Sequence, residues 1–398
     1  MTEAAIMTAA VPQPTETLPP PPTLPPTPIV TPIPTAIPPL ITLPDGQTPQ
    51  PFTIVYKQGD VISAIDSDGT NQRSLLNVQA TLGLHLPIEN LARFTGWASP
   101  SPDGEQLALI LGINAEQPPT YHIPIDYSMY EFSIYLLNLH TDEIRFLVAD
   151  AILPLWSPDG THLVYRHATT GSLWLVEIAS GQIRELYAVS PDEMEPHAVT
   201  QLSWSPDGQN LVFIDESPSV SRDIVVVNVD QTQPPRVILS AESYPVTFPQ
   251  WSPDGTQILF VSPVDQATGF SETANLWLIS PDGEQQKQLT QYISVGIGGI
   301  PHWSPDGLWI AFAGAHAFEE LEPRIDLWLV AKDGTNIQRL TSNLDGKIDE
   351  SRPLWSPDST QLVFHKDQSE LWVISLVDGS QTQMPVSVFN FVDPIALP

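Results

Sequence analysis

Short apolar runs of three to five residues recur along this chain, set apart by Gly, Pro, Asp and Ser. Leu107 to Leu111, Leu163 to Tyr165, Leu211 to Ile214, Ile258 to Val261, Ile310 to Phe312 and Leu362 to Phe364 form one series. A second series follows each of these, often carrying tryptophan: Ile134 to Leu137, Leu173 to Val176, Ile224 to Val227, Leu276 to Ile279, Leu327 to Val330 and Leu371 to Ile374. Runs this short, rich in β-branched and aromatic residues and bounded by turn formers, predict strands. No segment shows a long helical period with caps.

Ahead of each first-series run stands one motif. Trp156-Ser157-Pro158-Asp159-Gly160 recurs at Trp204 to Gly208, Trp251 to Gly255 and Trp303 to Gly307, and at Trp355 to Asp358, where Ser359 replaces the glycine. A stretched copy places Trp97 ahead of Ser101-Pro102-Asp103-Gly104. Proline presets φ, Asp bonds back to its own backbone and Gly accepts positive φ, so the motif is a turn. Copies about fifty residues apart, each with four short strands, predict a β-propeller with one antiparallel blade per repeat.

Six motifs give six blades, and the ends give a seventh. Thr53 to Tyr56, Val61 to Ile65 and Ser74 to Leu76 are three strands lacking a Trp strand, and Val386 to Val392 is the expected fourth. Such a closure removes the open sheet edges. Seven blades are expected, with six as the alternative, across residues 52–398. An Asp or Trp that recurs in every repeat reads as scaffold. Trp97, Trp156, Trp204, Trp251, Trp303 and Trp355, with Asp103, Asp159, Asp207, Asp254, Asp306 and Asp358, are therefore assigned to packing and turns.

The repeat, with Pro-x-Trp ahead of it at Pro249, Pro301 and Pro353, resembles the TolB-type β-propeller family, and related repeats occur in propellers of prolyl-oligopeptidase-type peptidases. The resemblance covers roughly residues 52–392 and implies an extracytoplasmic, bacterial-envelope propeller that serves as a protein-interaction platform. TolB itself has six blades and an N-terminal α/β domain. Here residues 1–51 are rich in Pro and Thr instead, so the Tol-complex role does not carry over.

That proline-rich region cannot pack a core and is expected to be disordered and extended, as a linker or stalk. It lacks the basic and uninterrupted apolar regions of a signal peptide, and the chain lacks a run long enough to span a membrane. The expectation is a periplasmic or cell-surface protein whose export signal or anchor is not visible in this chain, with no direct membrane insertion.

Against 15 Lys and Arg stand 46 Asp and Glu, for a formal charge of −31. This disfavours nucleic acid and anionic membranes and permits cations or basic partners. The absence of cysteine excludes disulfides and thiolate chemistry. No Gly-x-Ser-x-Gly elbow and no His-x-x-x-His or His-Glu-x-x-His pair occurs, so neither a serine hydrolase nor a zinc site is signalled. No cofactor or metal is expected, although a carboxylate ring around the channel could hold calcium.

Connection length is the remaining signal. The Ser-Pro-Asp turns and the third-to-fourth turns, such as Asp282-Gly283, are short and share one face. The long connections fall on the other, where binding sites concentrate. Tyr121, His122, Tyr127 and Tyr130 share one of them; Phe318 lies in a second, and Asp349 and Arg352 in a third. These are the candidate ligand-binding residues, with no catalytic residue assigned. The expected function is a non-catalytic, monomeric module for a protein or peptide ligand. The alternative is a hydrolase acting on a glycan or small substrate through carboxylates at the channel.

Overall fold

In the computed structural model, residues 41, 48–85, 98–113, 131–189, 198–216, 222–241, 246–263, 274–290, 293–295, 300–316, 325–341, 353–366, 370–387 and 395–397 are described. They fold as seven antiparallel four-stranded blades, the propeller the repeats predict. Blade 1 holds Thr53–Gln58, Val61–Asp66 and Arg73–Asn77; blade 2 holds Ala98–Pro100, Gln106–Ile113, Glu131–Asn138 and Ile144–Ala149. Blade 3 runs through Ala151–Trp156, His162–His167, Leu173–Glu177 and Ile183–Tyr187, and blade 4 through Ala198–Trp204, Asn210–Glu216, Arg222–Asn228 and Arg236–Leu239. Blade 5 comprises Thr247–Trp251, Ile258–Pro263, Ala274–Ile279 and Gln286–Gln288. In blade 6 the first strand is split into Ile293–Val295 and His302–Trp303, followed by Trp309–His316, Asp326–Ala331 and Gln338–Arg339. Blade 7 is Leu354–Trp355, Gln361–Lys366, Glu370–Ser375 and Gln381–Ser387. First strands of neighbouring blades touch one another, which makes them the inner strands.

Ring closure differs from the expectation in one respect. The fourth strand of blade 1 is Ile395–Ala396, pairing Ile54 with Ala396 and Val55 with Ile395, and not Val386 to Val392. Val386 instead continues the outer strand of blade 7, where Met384 and Val386 alternate into the core shared with Phe52 and Ile54. The apolar tail Ile395-Ala396-Leu397 takes the inner place because Leu397 can then enter the core between blades 1 and 2. A five-residue helix, Val78–Leu82, follows blade 1; the Asn77 side chain caps its start and Gly83, in the left-handed region, its end. Too short to show a period, it escapes the sequence pattern. No helix among the described residues is long and apolar enough to cross a membrane.

Alternation sends each face of a blade into a different neighbour. Leu163 and Tyr165 enter the core shared with blade 2, whereas Val164 enters the core shared with blade 4. The described residues form seven apolar clusters, one for each seam between adjacent blades. Burying a Leu, Ile or Phe of this kind contributes roughly 1.5–3 kcal/mol, so stability is spread around the ring.

The repeat residues tie blade to blade. The indole N–H of Trp156 donates to the Ser99 carbonyl of the preceding blade at 3.1 Å, Trp204 to Leu155 at 3.3 Å and Trp355 to His302 at 3.0 Å. Trp251 is joined to its neighbour through its backbone N–H, which donates to Ser203 Oγ at 3.1 Å. Trp303, like the other described motif tryptophans, is buried, and Trp97 lies outside the described residues. Upstream of Trp156, Trp204 and Trp251, the inner strands bulge at Leu153, Gln201 and Phe248, all with φ of 56°. Positive φ in such bulky residues is strained. The bulge turns the inner strand, and Gln201 Oε1 accepts the Phe248 N–H across the seam at 2.5 Å.

Each Ser-Pro-Asp turn closes on itself. The serine hydroxyl donates to the aspartate at 2.5 to 2.7 Å in all six motif copies. The same oxygen accepts the N–H five residues on, at 2.8 to 3.0 Å. Asp103, Asp159, Asp207 and Asp254 are held below the usual carboxylate range, chiefly by that serine, with Asp254 at about 2. The turn glycine lies against the proline of the preceding turn: Gly160 on Pro102, Gly208 on Pro158, Gly255 on Pro206, Gly307 on Pro253. Ser359 keeps the left-handed φ, at 61°, and its hydroxyl accepts the Asp306 N–H at 3.1 Å. The serine that replaces the turn glycine thus adds an inter-blade bond.

Candidate functional site

The long connections leave from the opposite end of the strands. Tyr121, His122, Tyr127, Tyr130, Phe318, Asp349 and Arg352 lie outside the described residues. The roots of their connections and the ends of the neighbouring strands are described, and these carry ionisable groups.

The connection holding Tyr121 to Tyr130 starts from Ile113 and returns at Glu131. Its root is tied to blade 1. The His85 backbone exchanges both hydrogen bonds with Gly112, each 3.0 Å, and His85 Nδ1 meets Asp60 Oδ2 at 2.8 Å. Both side chains of that pair are about a quarter exposed or less, at 21% and 24%. Gly112 leaves no room for a side chain: a Cβ there would stand 2.7 Å from the Phe132 ring and 3.1 Å from the Glu131 carbonyl of the next strand. The sequence reading passed over His85 and Asp60 because the two lie in separate blade connections.

A second group sits where blades 3 and 4 meet. The Tyr187 hydroxyl donates to Asp215 Oδ2 at 2.6 Å, and the Tyr187 ring packs against Phe213 at 4.9 Å between centroids. Burial, then the bond to Asp215 and the nearby carboxylates, drives the Tyr187 pKa far above the ordinary phenol value, so it stays protonated. Asp215 lies directly opposite Asp223 in the strand ladder, and the next pair, Glu216 and Arg222, is joined at 3.4 Å. Like charges directly opposite are unfavourable by themselves and draw a positive group to the site.

Asp223 also has a scaffold duty: Ser240 donates to it at 2.8 Å, as Thr290 does to Asn275 at 3.1 Å and Thr341 to Asp326 at 2.9 Å in the next two blades. Asp326, almost fully buried, is in addition paired with Arg339. Asp215 has no such recurrence. Eleven residues beyond the turn tryptophan, or its Pro100 equivalent, blades 2, 3, 5, 6 and 7 hold Leu111, His167, Ser262, Gly314 and Lys366.

One residue earlier on the same strands, Lys57, Arg166 and His365 occupy equivalent places in blades 1, 3 and 7, all buried and all partnered within the protein. The signal for them is a charged residue interrupting an apolar run. His302, flanking an inner-strand tryptophan, is half-buried; its backbone carbonyl serves Trp355. Among the described residues no three His, Asp or Glu side chains converge as a metal site.

Residues 204–393, from the blade 4 tryptophan through blade 7, match the family described as the TolB beta propeller domain. An uncharacterized peptidase, YuxL, of Bacillus subtilis is 26% identical over 168 residues, which is 40% of this chain and 21% of that protein, so the chain spans about a fifth of that relative. An oligogalacturonate lyase solved in complex with manganese superposes with a TM-score of 0.57 at 16% identity, covering 84% of each chain. TolB of Acinetobacter baumannii gives 0.50 at 14% identity, covering 87% of this chain and 81% of that one. At such identities the structural likeness speaks for the fold, which TolB-like proteins and enzymes share. Over residues 204–393 the repeat is therefore that of the TolB beta propeller domain, which the tryptophan motif resembles.

Proposed function

We propose that this protein is an extracytoplasmic binding module that holds a protein or peptide with basic groups on its long-loop face. One observation carries the reading. Polar groups at the short turns recur from blade to blade and are consumed by one another, whereas among the described residues the Asp60–His85 and Tyr187–Asp215 pairs at the long-loop end each occur in one place only. A unique ligand is met by unique residues. Tyr187, Asp215, Glu216, Asp60 and His85 are its described part, and Tyr121, His122, Tyr127, Tyr130, Phe318, Asp349 and Arg352 are proposed to complete it. The formal charge of −31 supports a basic partner by steering. The fold, shared with TolB and known as a platform, supports a binding role by analogy.

The rival, a glycan hydrolase, needs a carboxyl group kept protonated near neutral pH. Among the described residues, every carboxyl with a displaced pKa lies in a short turn and is displaced downward.

Display of random peptides on the immobilised full chain tests the proposal. Selection should enrich Lys- or Arg-containing sequences that bind the Asp215→Asn and Tyr127→Ala/Tyr130→Ala variants at least tenfold more weakly. Enrichment without that loss, or no enrichment at all, rejects the assigned face.

A further inference from the structure

Blade 5 buries polar side chains that its own seam does not satisfy. Ser262 and Asn275 stand directly opposite one another in the strand ladder, and Phe260 and Trp277 form the next pair on the same face. Phe260 and Trp277 pack into the core shared with blade 4, and strand alternation turns Ser262 and Asn275 to that side as well. Ser262 and Asn275 are 1% and 0% exposed. Asn275 Nδ2, Ser262 Oγ and the indole Nε1 of the half-buried Trp277 are all screened from solvent and meet no partner within the protein. The amide has a fixed orientation. Thr290 Oγ1 accepts the Leu276 N–H at 3.0 Å and donates to Asn275 Oδ1 at 3.1 Å, which leaves Nδ2 with its hydrogens to place.

Blades 6 and 7 close the same positions with their own atoms. Gly314 and Lys366 correspond to Ser262, and Asp326 and Glu370 to Asn275. There the third-strand tryptophan finds an acceptor: Trp328 Nε1 donates to the Gly314 carbonyl at 2.9 Å, and Trp372 Nε1 to Glu370 Oε2 at 2.9 Å. Asp326 in turn receives Arg339, whose guanidinium lies over the Trp328 ring, 5.9 Å from its centroid.

Blade 5 repeats the blade 6 arrangement without charge. Asn275 stands for the aspartate and Gln288 for the arginine. Gln288 Nε2 donates to the Thr290 carbonyl at 2.8 Å, as Arg339 Nε donates to that of Thr341 at 3.0 Å. The glutamine ends there, whereas the arginine continues through Cζ to the Nη2 that meets Asp326. Asn275 therefore lacks the neighbour that its counterpart has. A buried donor without an acceptor has given up its hydration for nothing. Internal water ordinarily settles such groups, making about three hydrogen bonds.

We infer that the seam between blades 4 and 5 binds an internal water molecule at Ser262, Asn275 and Trp277. Its two lone pairs accept from Asn275 Nδ2 and Trp277 Nε1, and it donates to Ser262 Oγ, so one molecule gives all three groups a partner. The water does for Asn275 what the Arg339 guanidinium does for Asp326. One seam is thus bridged by solvent where the next is bridged by an ion pair.

A crystal structure of the full chain, at a resolution that shows ordered solvent, tests the site directly. A solvent peak within hydrogen-bond reach of Asn275 Nδ2 and of Ser262 Oγ or Trp277 Nε1 is expected. Ser262→Ala gives a second reading in denaturant titration. Deleting a hydroxyl that is bonded to water should raise the unfolding constant about fivefold, whereas deleting one that is merely buried should lower it. No peak at these atoms, or an unfolding constant that Ser262→Ala leaves unchanged or lowers, overturns the inference.

Discussion

The two ends of the blades obey different rules. At the short-turn face one solution is repeated around the ring: a serine hydroxyl on an aspartate, a glycine on the preceding proline, a hydroxyl oxygen under the next strand. Cations complete it. Arg73 donates to Leu139 O at 3.2 Å, Arg184 to Val229 O at 2.5 Å, Arg236 to Pro281 O at 3.3 Å and Lys287 Nζ to Asp333 O at 2.6 Å, each reaching the turn of the next blade. Four of the 15 basic residues are thereby occupied in joining blades. At the long-loop end, Asp60 with His85 and Tyr187 with Asp215 have no counterparts among the described residues. Repetition marks what a ring needs for closure, and singularity marks what one partner needs for recognition.

If that division holds, damage to the repeated elements should cost stability and damage to the singular ones should cost binding. The largest loss is expected from Trp156→Ala. It removes a side chain 5% exposed and a bond to Ser99, and should destabilise by roughly 3–5 kcal/mol in denaturant titration. A loss below about 1 kcal/mol would dismiss the tryptophan as an inter-blade staple.

Next in size is the turn itself. Ser304→Ala leaves Asp306 and the Trp309 N–H without their shared partner and should cost about 1–2 kcal/mol.

Acid should act on several of these turns together. Asp103, Asp159, Asp207 and Asp254 each have a lower pKa folded than unfolded, so their stabilisation is complete above the unfolded value near 3.8 and is lost as pH falls through the folded value. For Asp254 that window runs from 3.8 to about 2. Melting temperature should be flat above pH 5 and fall steeply below pH 4, by these terms. In Asp254→Asn, part of that slope should disappear.

Ser359 offers a finer test, because glycine relieves the positive φ but lacks the hydroxyl that accepts the Asp306 N–H, and alanine suffers on both counts. Stability of the position 359 variants should fall in the order Ser, Gly, Ala, with steps of about 1 kcal/mol. The smallest effect on stability is expected from Asp60→Asn, within about 1 kcal/mol at a partly exposed pair. Its effect on peptide retention should be the larger one. A variant that lost stability and kept its ligand would reverse the comparison.

Much of the ring is legible in the chain because the information is local and repeated. Each Ser-Pro-Asp-Gly step specifies its own turn through contacts within five residues, and each apolar run alternates correctly whether or not the partner strand is known. Six copies then fix the architecture. The closing strand was misplaced for the converse reason. Val386 and Ile395 are equally acceptable strand residues by pattern, and the choice between them was made by a core 300 residues away in sequence, where Leu397 fits between blades 1 and 2. The helix at Val78–Leu82 was missed because one turn and a cap leave no period to read.

What the sequence determined alone, then, is the repeating unit: its turns, its strand order and the side of the blade on which each connection falls, all set by residues near one another along the chain. What only tertiary structure decided is which distant groups meet. His85 finds Asp60 and Tyr187 finds Asp215 across seams, and Ile41 finds Leu376 across blade 7. These pairings depend on the curvature that closes the ring, a property of the seven packed seams together that no single repeat encodes.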